Sequence, residues 1–348
     1  MACELLYTFV LCLVVLNTAA SKSLGGRNQF YGLAIGFVIV AGAYGPGAVS
    51  GGCFNPAVAV GIDAASVAMG FGWCVVYASF ELMGACLAVA AFWALRPEER
   101  GPVPTPQEEY TLMSKLIAEA IGTFVLVLTV GMNVLVASKA AAFSIAASLM
   151  CMIYALGDVS GAHFNPAVTI AVLLSGRKKI EPQTAVCYIS AQVAAGFFAA
   201  LMYECVHSGI TFPLRPGDGF DWGGVALAEV IFTSVLCFTV LCVATVQSNP
   251  APEMTGLVIG MCITVGGLAI GKVSGGSLNP AVSLGIASAR KLIGGGSFWT
   301  GLLYIFFEVV GAAVAAGLFR VTYPEEFADA AAKEFADNTE KELPLPSS

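Results

Sequence analysis

Apolar runs long enough to cross a bilayer alternate along this chain with short segments that hold most of its Pro and charge. A hydrocarbon core about 30 Å thick takes roughly 20 apolar residues of helix. By that measure spans are predicted at roughly 4–20, 30–46 and 72–95, then 114–137, 142–157 and 185–205, then 224–246, 255–272 and 298–320. The first run, 5–20, has the length of a signal-peptide core. Glu4 stands where that signal carries basic residues, so the run reads as a span. The expected fold is an all-α membrane protein of about nine spans.

Three tripeptides interrupt the pattern, each inside a membrane-grade stretch: Asn55-Pro56-Ala57, Asn165-Pro166-Ala167 and Asn279-Pro280-Ala281. Asn favours a helix N-cap and Pro the first helical position, so each copy starts a helix. A helix that starts within hydrocarbon exposes unpaired N–H groups, which is tolerated only inside protein or beside a water-filled cavity. Broken helices at matching places in a repeat point to a transport site. Three copies in matching context predict a pore.

The chain is one unit written three times. Each copy opens on a similar phrase, at Glu4, Glu119 and Glu229, and reaches its Asn 51, 46 and 50 residues later. Each closes with a third span around Glu81, Gln192 or Glu308. Gly32, Gly36 and Gly42 of the first copy reappear 224 residues on as Gly256, Gly260 and Gly266, the offset that also separates Asn55 from Asn279. Small residues four apart let helices approach closely in a membrane, so this stripe predicts a packing face. The middle copy lacks it. Three spans per unit invert each unit relative to the one before, which makes the second and third an inverted pair. The expected division is 1–95, a Pro- and Glu-rich linker 96–111, a pore domain 112–323 with halves 112–210 and 220–323 joined through 213–219, and a tail 324–348.

Composition agrees with a membrane protein: of 348 residues, 57% are hydrophobic and 11% charged, against about 25% charged in soluble domains. The net charge of −7 comes largely from the tail after Tyr323, expected to be solvated. Lys and Arg sort nine to five between the two faces if loop 176–182 is cytoplasmic; Arg96 and the Arg177-Lys178-Lys179 cluster then read as topology signals. No basic stripe predicts nucleic acid. Eleven cysteines without CxxC pairs read as buried thiols; neither a metal nor a cofactor is expected.

These motifs resemble the aquaporin, or major intrinsic protein, family. Residues 112–323 look like one six-span member, with Ser160–Thr169 and Gly275–Ala281 as its two signature loops. The resemblance implies an inverted repeat of three spans plus a re-entrant half-helix per half, a homotetramer in the lipid bilayer, one narrow pore per subunit, and water or small neutral solutes as the molecules carried. Asn165 and Asn279 then meet at mid-bilayer and offer amide donors to passing oxygens. Two half-helix N-termini add a field that opposes cations. Counted from the Asn residues, the selectivity filter falls on Ile145, Gly267, Gly276 and Val282. Many members hold Arg where this chain has Val282, so the filter reads as wide and apolar, suited to glycerol, urea or ammonia. Glu119 and Glu229 read as braces for the signature loops rather than a proton relay, and His163 as a further brace. Unit one resembles a C-terminal half without its partner and carries an orphan motif at Asn55, Pro56 and Ala57, as a piece of a twelve-span tandem would. The function expected is a passive channel and not an enzyme. The alternatives are a proton- or ion-coupled transporter and a non-conducting structural membrane protein.

Overall fold

The computed structural model describes residues 1–101 and 109–327, all helix and connecting loop. Linker residues 102–108 and the tail from 328 onward lie outside the described residues.

Unit one comprises α1 (Ala2–Val15, continued by a π-helical turn to Ala20), α2 (Tyr31–Tyr44), the single turn α3 (Gly47–Ser50), the half-helix α4 (Pro56–Ala65) and α5 (Trp73–Leu95). Unit two comprises α6 (Leu112–Leu135), α7 (Ala141–Ser160), the half-helix α8 (Pro166–Leu174) and α9 (Pro182–Val206). Unit three comprises α10 (Trp222–Ala244), α11 (Thr255–Ile270), the half-helix α12 (Pro280–Gly294) and α13 (Trp299–Thr322).

Eight helices are long and apolar enough to cross a membrane among the described residues. The ninth expected span is shorter than predicted. Its helix α2 has 14 residues, about 21 Å at 1.5 Å per residue, and ends at Gly45-Pro46, where Pro breaks the backbone ladder before α3 resumes.

The first two glycines of the stripe pack between helices in one unit only, whereas Gly42 and Gly266 alike press on the residue before their Asn, Phe54 at 2.5 Å and Leu278 at 2.6 Å. A Cβ on Gly256 would meet the Tyr154 ring at 2.9 Å, and one on Gly260 would meet the Met150 Cβ at 2.9 Å, so α11 receives the large side chains of α7. The middle unit lacks the stripe because it supplies those side chains. On its other flank α7 carries α2: the Ser144 hydroxyl donates to the Ala41 carbonyl at 3.0 Å, Cys151 Sγ to the Ala34 carbonyl at 3.0 Å, and Phe30 stacks on Tyr154. Unit one thus lies against the outside of the second unit.

Two of the cations read as topology signals have structural partners. Arg96 is fully buried; its guanidinium donates to Asp158 on α7 at 2.7 Å and to the Asn17 side chain at 2.7 Å, tying unit one to unit two. Arg177 donates to the Thr245 carbonyl at 3.1 Å and to Glu326 at 3.0 Å. Glu326 also accepts from the Gln247 N–H at 2.8 Å, so the start of the tail expected to be solvated is pinned to the body.

Candidate pore and its bracing

Each Asn-Pro-Ala starts its half-helix as the tripeptide chemistry dictates. The Asn55, Asn165 and Asn279 side-chain oxygens accept from the N–H of Ala57, Ala167 and Ala281 at 2.8–2.9 Å, with Pro in the first turn. The residue before each Asn is strained: Phe54, Phe164 and Leu278 have φ of 50°, 49° and 56°. Left-handed backbone at a non-Gly residue costs on the order of 1–3 kcal/mol and persists only where its surroundings fix it.

What fixes it is a buried carboxylate, repeated three times. Glu119 accepts from the Ser160 hydroxyl at 2.7 Å, the His163 N–H at 3.0 Å, the Phe164 N–H at 2.7 Å and the Gln192 amide at 2.8 Å. Glu229 accepts from Ser274, Ser277 and Leu278 at 2.6, 3.1 and 3.0 Å. Glu4 does the same for Ser50, Gly52 and Phe54 at 2.5, 3.1 and 2.8 Å. His163 Nδ1 lies 3.1 Å from the Thr169 hydroxyl, and its ring meets Tyr188 edge-on.

The third span completes the brace, a role the sequence reading left unassigned. Glu81 and Glu308 accept the N–H of Asn55 and Asn279, each at 3.0 Å. The Tyr77, Tyr188 and Tyr304 hydroxyls donate to the carbonyls of Ser50, Ser160 and Ser274. The signal was available: each Tyr stands four residues before Glu81, Gln192 or Glu308.

The second and third loops meet. Asn165 Nδ2 donates to the Leu278 carbonyl at 2.8 Å and Asn279 Nδ2 to the Phe164 carbonyl at 3.0 Å. Each amide therefore spends one of its two N–H groups across the junction, leaving one for a passing oxygen, fewer than the sequence reading supposed. A cavity of about 530 Å³ passes this junction and is lined by Asn165 and Asn279 as well as by Ile145, Gly267, Gly276 and Val282. Most of its wall is apolar, from side chains such as Leu149, Ile153, Val240 and Ile263. A second cavity of about 770 Å³ shares His163 and Val240 with the first and is lined by Lys178 and Lys179. The two volumes adjoin at that point.

One wall of the first cavity escapes the sequence reading. Segment 212–218, nearly all of it within the joint 213–219 between units, lines the first cavity with Arg215 and Asp218. It is seated by the Gly217 N–H on the Val273 carbonyl at 2.9 Å, and a Cβ at Gly217 would lie 1.9 Å from the Lys272 carbonyl. The first unit's motif joins none of this: Asn55 and Ala57 are exposed, whereas Asn279 and Ala281 are buried.

The model of the major intrinsic protein family matches residues 1–92 and 106–319, with a further match over 269–342. Aquaporin NIP1-4 of Oryza sativa subsp. japonica is 34% identical over 226 residues, covering 61% of this chain and 79% of that protein. Aquaporin AqpM of Methanothermobacter marburgensis is 32% identical over 244 residues, covering 59% and 96%. The X-ray structure of the aquaglyceroporin from Plasmodium falciparum superposes with a TM-score of 0.54 at 21% identity, covering 62% of this chain and 99% of that one, a likeness of fold.

Proposed function

Because this chain belongs to the major intrinsic protein family, an integral membrane family of channels for water or small solutes, we propose that residues 112–323 form a passive pore for water and small neutral solutes such as glycerol, urea or ammonia. The observation that carries this reading is the reciprocal pair Asn165 to Leu278 and Asn279 to Phe164 on the wall of the cavity. Oxygens passing in file exchange hydration for the two remaining amide N–H groups, while the two half-helix N-termini repel cations. Ile145, Gly267, Gly276 and Val282 act as the filter: small, apolar and without a cation, they leave room for a carbon-bearing solute. Against a proton-coupled transporter, both oxygens of Glu119 and of Glu229 are occupied by loop donors. Oligomerisation is also proposed, with one restriction: α2 covers the outer flank of α7, so that flank is closed to a neighbouring subunit.

Val282→Arg tests the filter. Arg adds bulk, a fixed charge and five donors beside Gly267 and Gly276. The glycerol-to-water permeability ratio of proteoliposomes should fall by roughly tenfold or more, since a desolvated cation at a constriction is worth at least about 1.4 kcal/mol. A wild-type ratio already at the level of empty vesicles would contradict the wide filter.

A further inference from the structure

Unit one is a finished half-pore with nothing on its working face among the described residues. Its loop is braced by Glu4 and Glu81, and Asn55 caps Ala57, just as Glu229, Glu308 and Asn279 act in unit three. Burial separates the two. Val58 is 44% exposed where Val282 is 3% exposed. Three glycines on this face sharpen the contrast. Gly32 and Gly36 have nothing within 4 Å of a Cβ, whereas their counterparts Gly256 and Gly260 press on Tyr154 and Met150 of α7. Gly61 on α4 is likewise bare, whereas its counterpart Gly285 on α12 lies 2.6 Å from the Gly196 carbonyl of α9. The bare face therefore holds notches for two different helices, in the positions where unit three receives α7 and α9. Lipid is a poor cover for it, because the Asn55 amide and the re-entrant backbone at Gly51 and Gly52 would face hydrocarbon.

We propose that this face is the docking site of a half-unit of the 112–210 kind: three spans and a re-entrant half-helix of opposite sense. Docked there, its Asn meets Asn55 and a second pore forms beside the first. The inference rests on the pore reading for what the second junction conducts, but not for whether the half-unit docks.

The test fuses a second copy of residues 112–221 ahead of Met1 of the full chain, so that the segment that normally leads into α10 leads into α1. Gly267, whose Cβ would lie 2.8 Å from that of Ala142, has Ala43 as its counterpart in unit one. Ala43→Cys, paired with Ala142→Cys in the added copy, should therefore cross-link with a short bismaleimide, mapped by peptide mass. Gly61→Leu, which fills the α9 notch, should abolish the cross-link without lowering the melting temperature of the unfused chain. Absence of the cross-link in a monodisperse fusion, its persistence with Gly61→Leu, or failure of the fusion to assemble while the unmodified chain does would each overturn the proposal. A second readout separates it from the pore reading. With Asn165→Asp and Asn279→Asp in the original domain, the fusion should still conduct water. A cross-linked fusion without conduction leaves the docking standing and sinks the pore.

Discussion

A Glu229→Ala chain fails to assemble as a monodisperse membrane protein, and a Glu119→Ala chain fails with it. Glu229 accepts from Ser274, Ser277 and Leu278, and Glu119 from Ser160, His163, Phe164 and Gln192, all within the bundle. Each buried donor left without a partner costs about 1–3 kcal/mol, so either loss approaches the 5–15 kcal/mol that hold a domain together. The strained φ at Phe164 or Leu278 then has nothing to maintain it. Glu→Gln at either site replaces one acceptor oxygen by a donor and should lower the detergent melting temperature without abolishing assembly. Glu4→Ala should loosen unit one and leave the 112–323 pore conducting. Size-exclusion profiles and melting curves of the three Ala variants check this. An unchanged profile for Glu229→Ala would return the carboxylate to a role in transport.

Asn279→Asp, by contrast, assembles and loses water permeability. Asp caps a helix as well as Asn, so the bond from the Ala281 N–H survives. The bond from Asn279 Nδ2 to the Phe164 carbonyl does not: a carboxylate oxygen faces a carbonyl oxygen where a donor stood 3.0 Å away. The two loops separate, the free amide donor of Asn279 is lost, and the negative charge offsets the roughly half-unit positive charge at the α12 N-terminus. Loss of one such donor is worth about 1–3 kcal/mol, or roughly 5- to 150-fold in flux. Asn165→Asp should behave alike through Leu278. Asn55→Asp, exposed and joined to no second loop among the described residues, should leave flux unchanged. Permeability normalised to protein per vesicle distinguishes these outcomes.

Much of this architecture was legible because membrane physics leaves few choices. Periodic apolar runs give spans, Asn-Pro gives helix starts, and a 224-residue offset gives the correspondence between units one and three. Loop-bracing carboxylates could be read because an intramembrane Glu recurring three times without a basic partner has few other uses. What escaped needed distances in space. Gly32 and Gly256 are the same letter in the same phrase, yet one is bare and the other bears on Tyr154. Arg96 counts as one more loop cation until Asp158, 62 residues away in sequence, is seen beside it. Segment 212–218 has the Pro and Gly of any connector, and only in space does the segment seated by Gly217 on Val273 put Arg215 and Asp218 on the cavity wall. Subtler is the spending of one Asn amide hydrogen on the opposite loop, which reduces the donors each Asn offers.

A passive pore between units two and three should show in osmotic swelling of proteoliposomes holding the full chain, run first for water and then for glycerol. Permeability should exceed that of empty vesicles for both, unaffected by an imposed proton gradient and lost with Asn165→Asp and Asn279→Asp together. Wild-type vesicles that swell no faster than empty ones at matched protein density, or glycerol entry that follows the proton gradient, would contradict it.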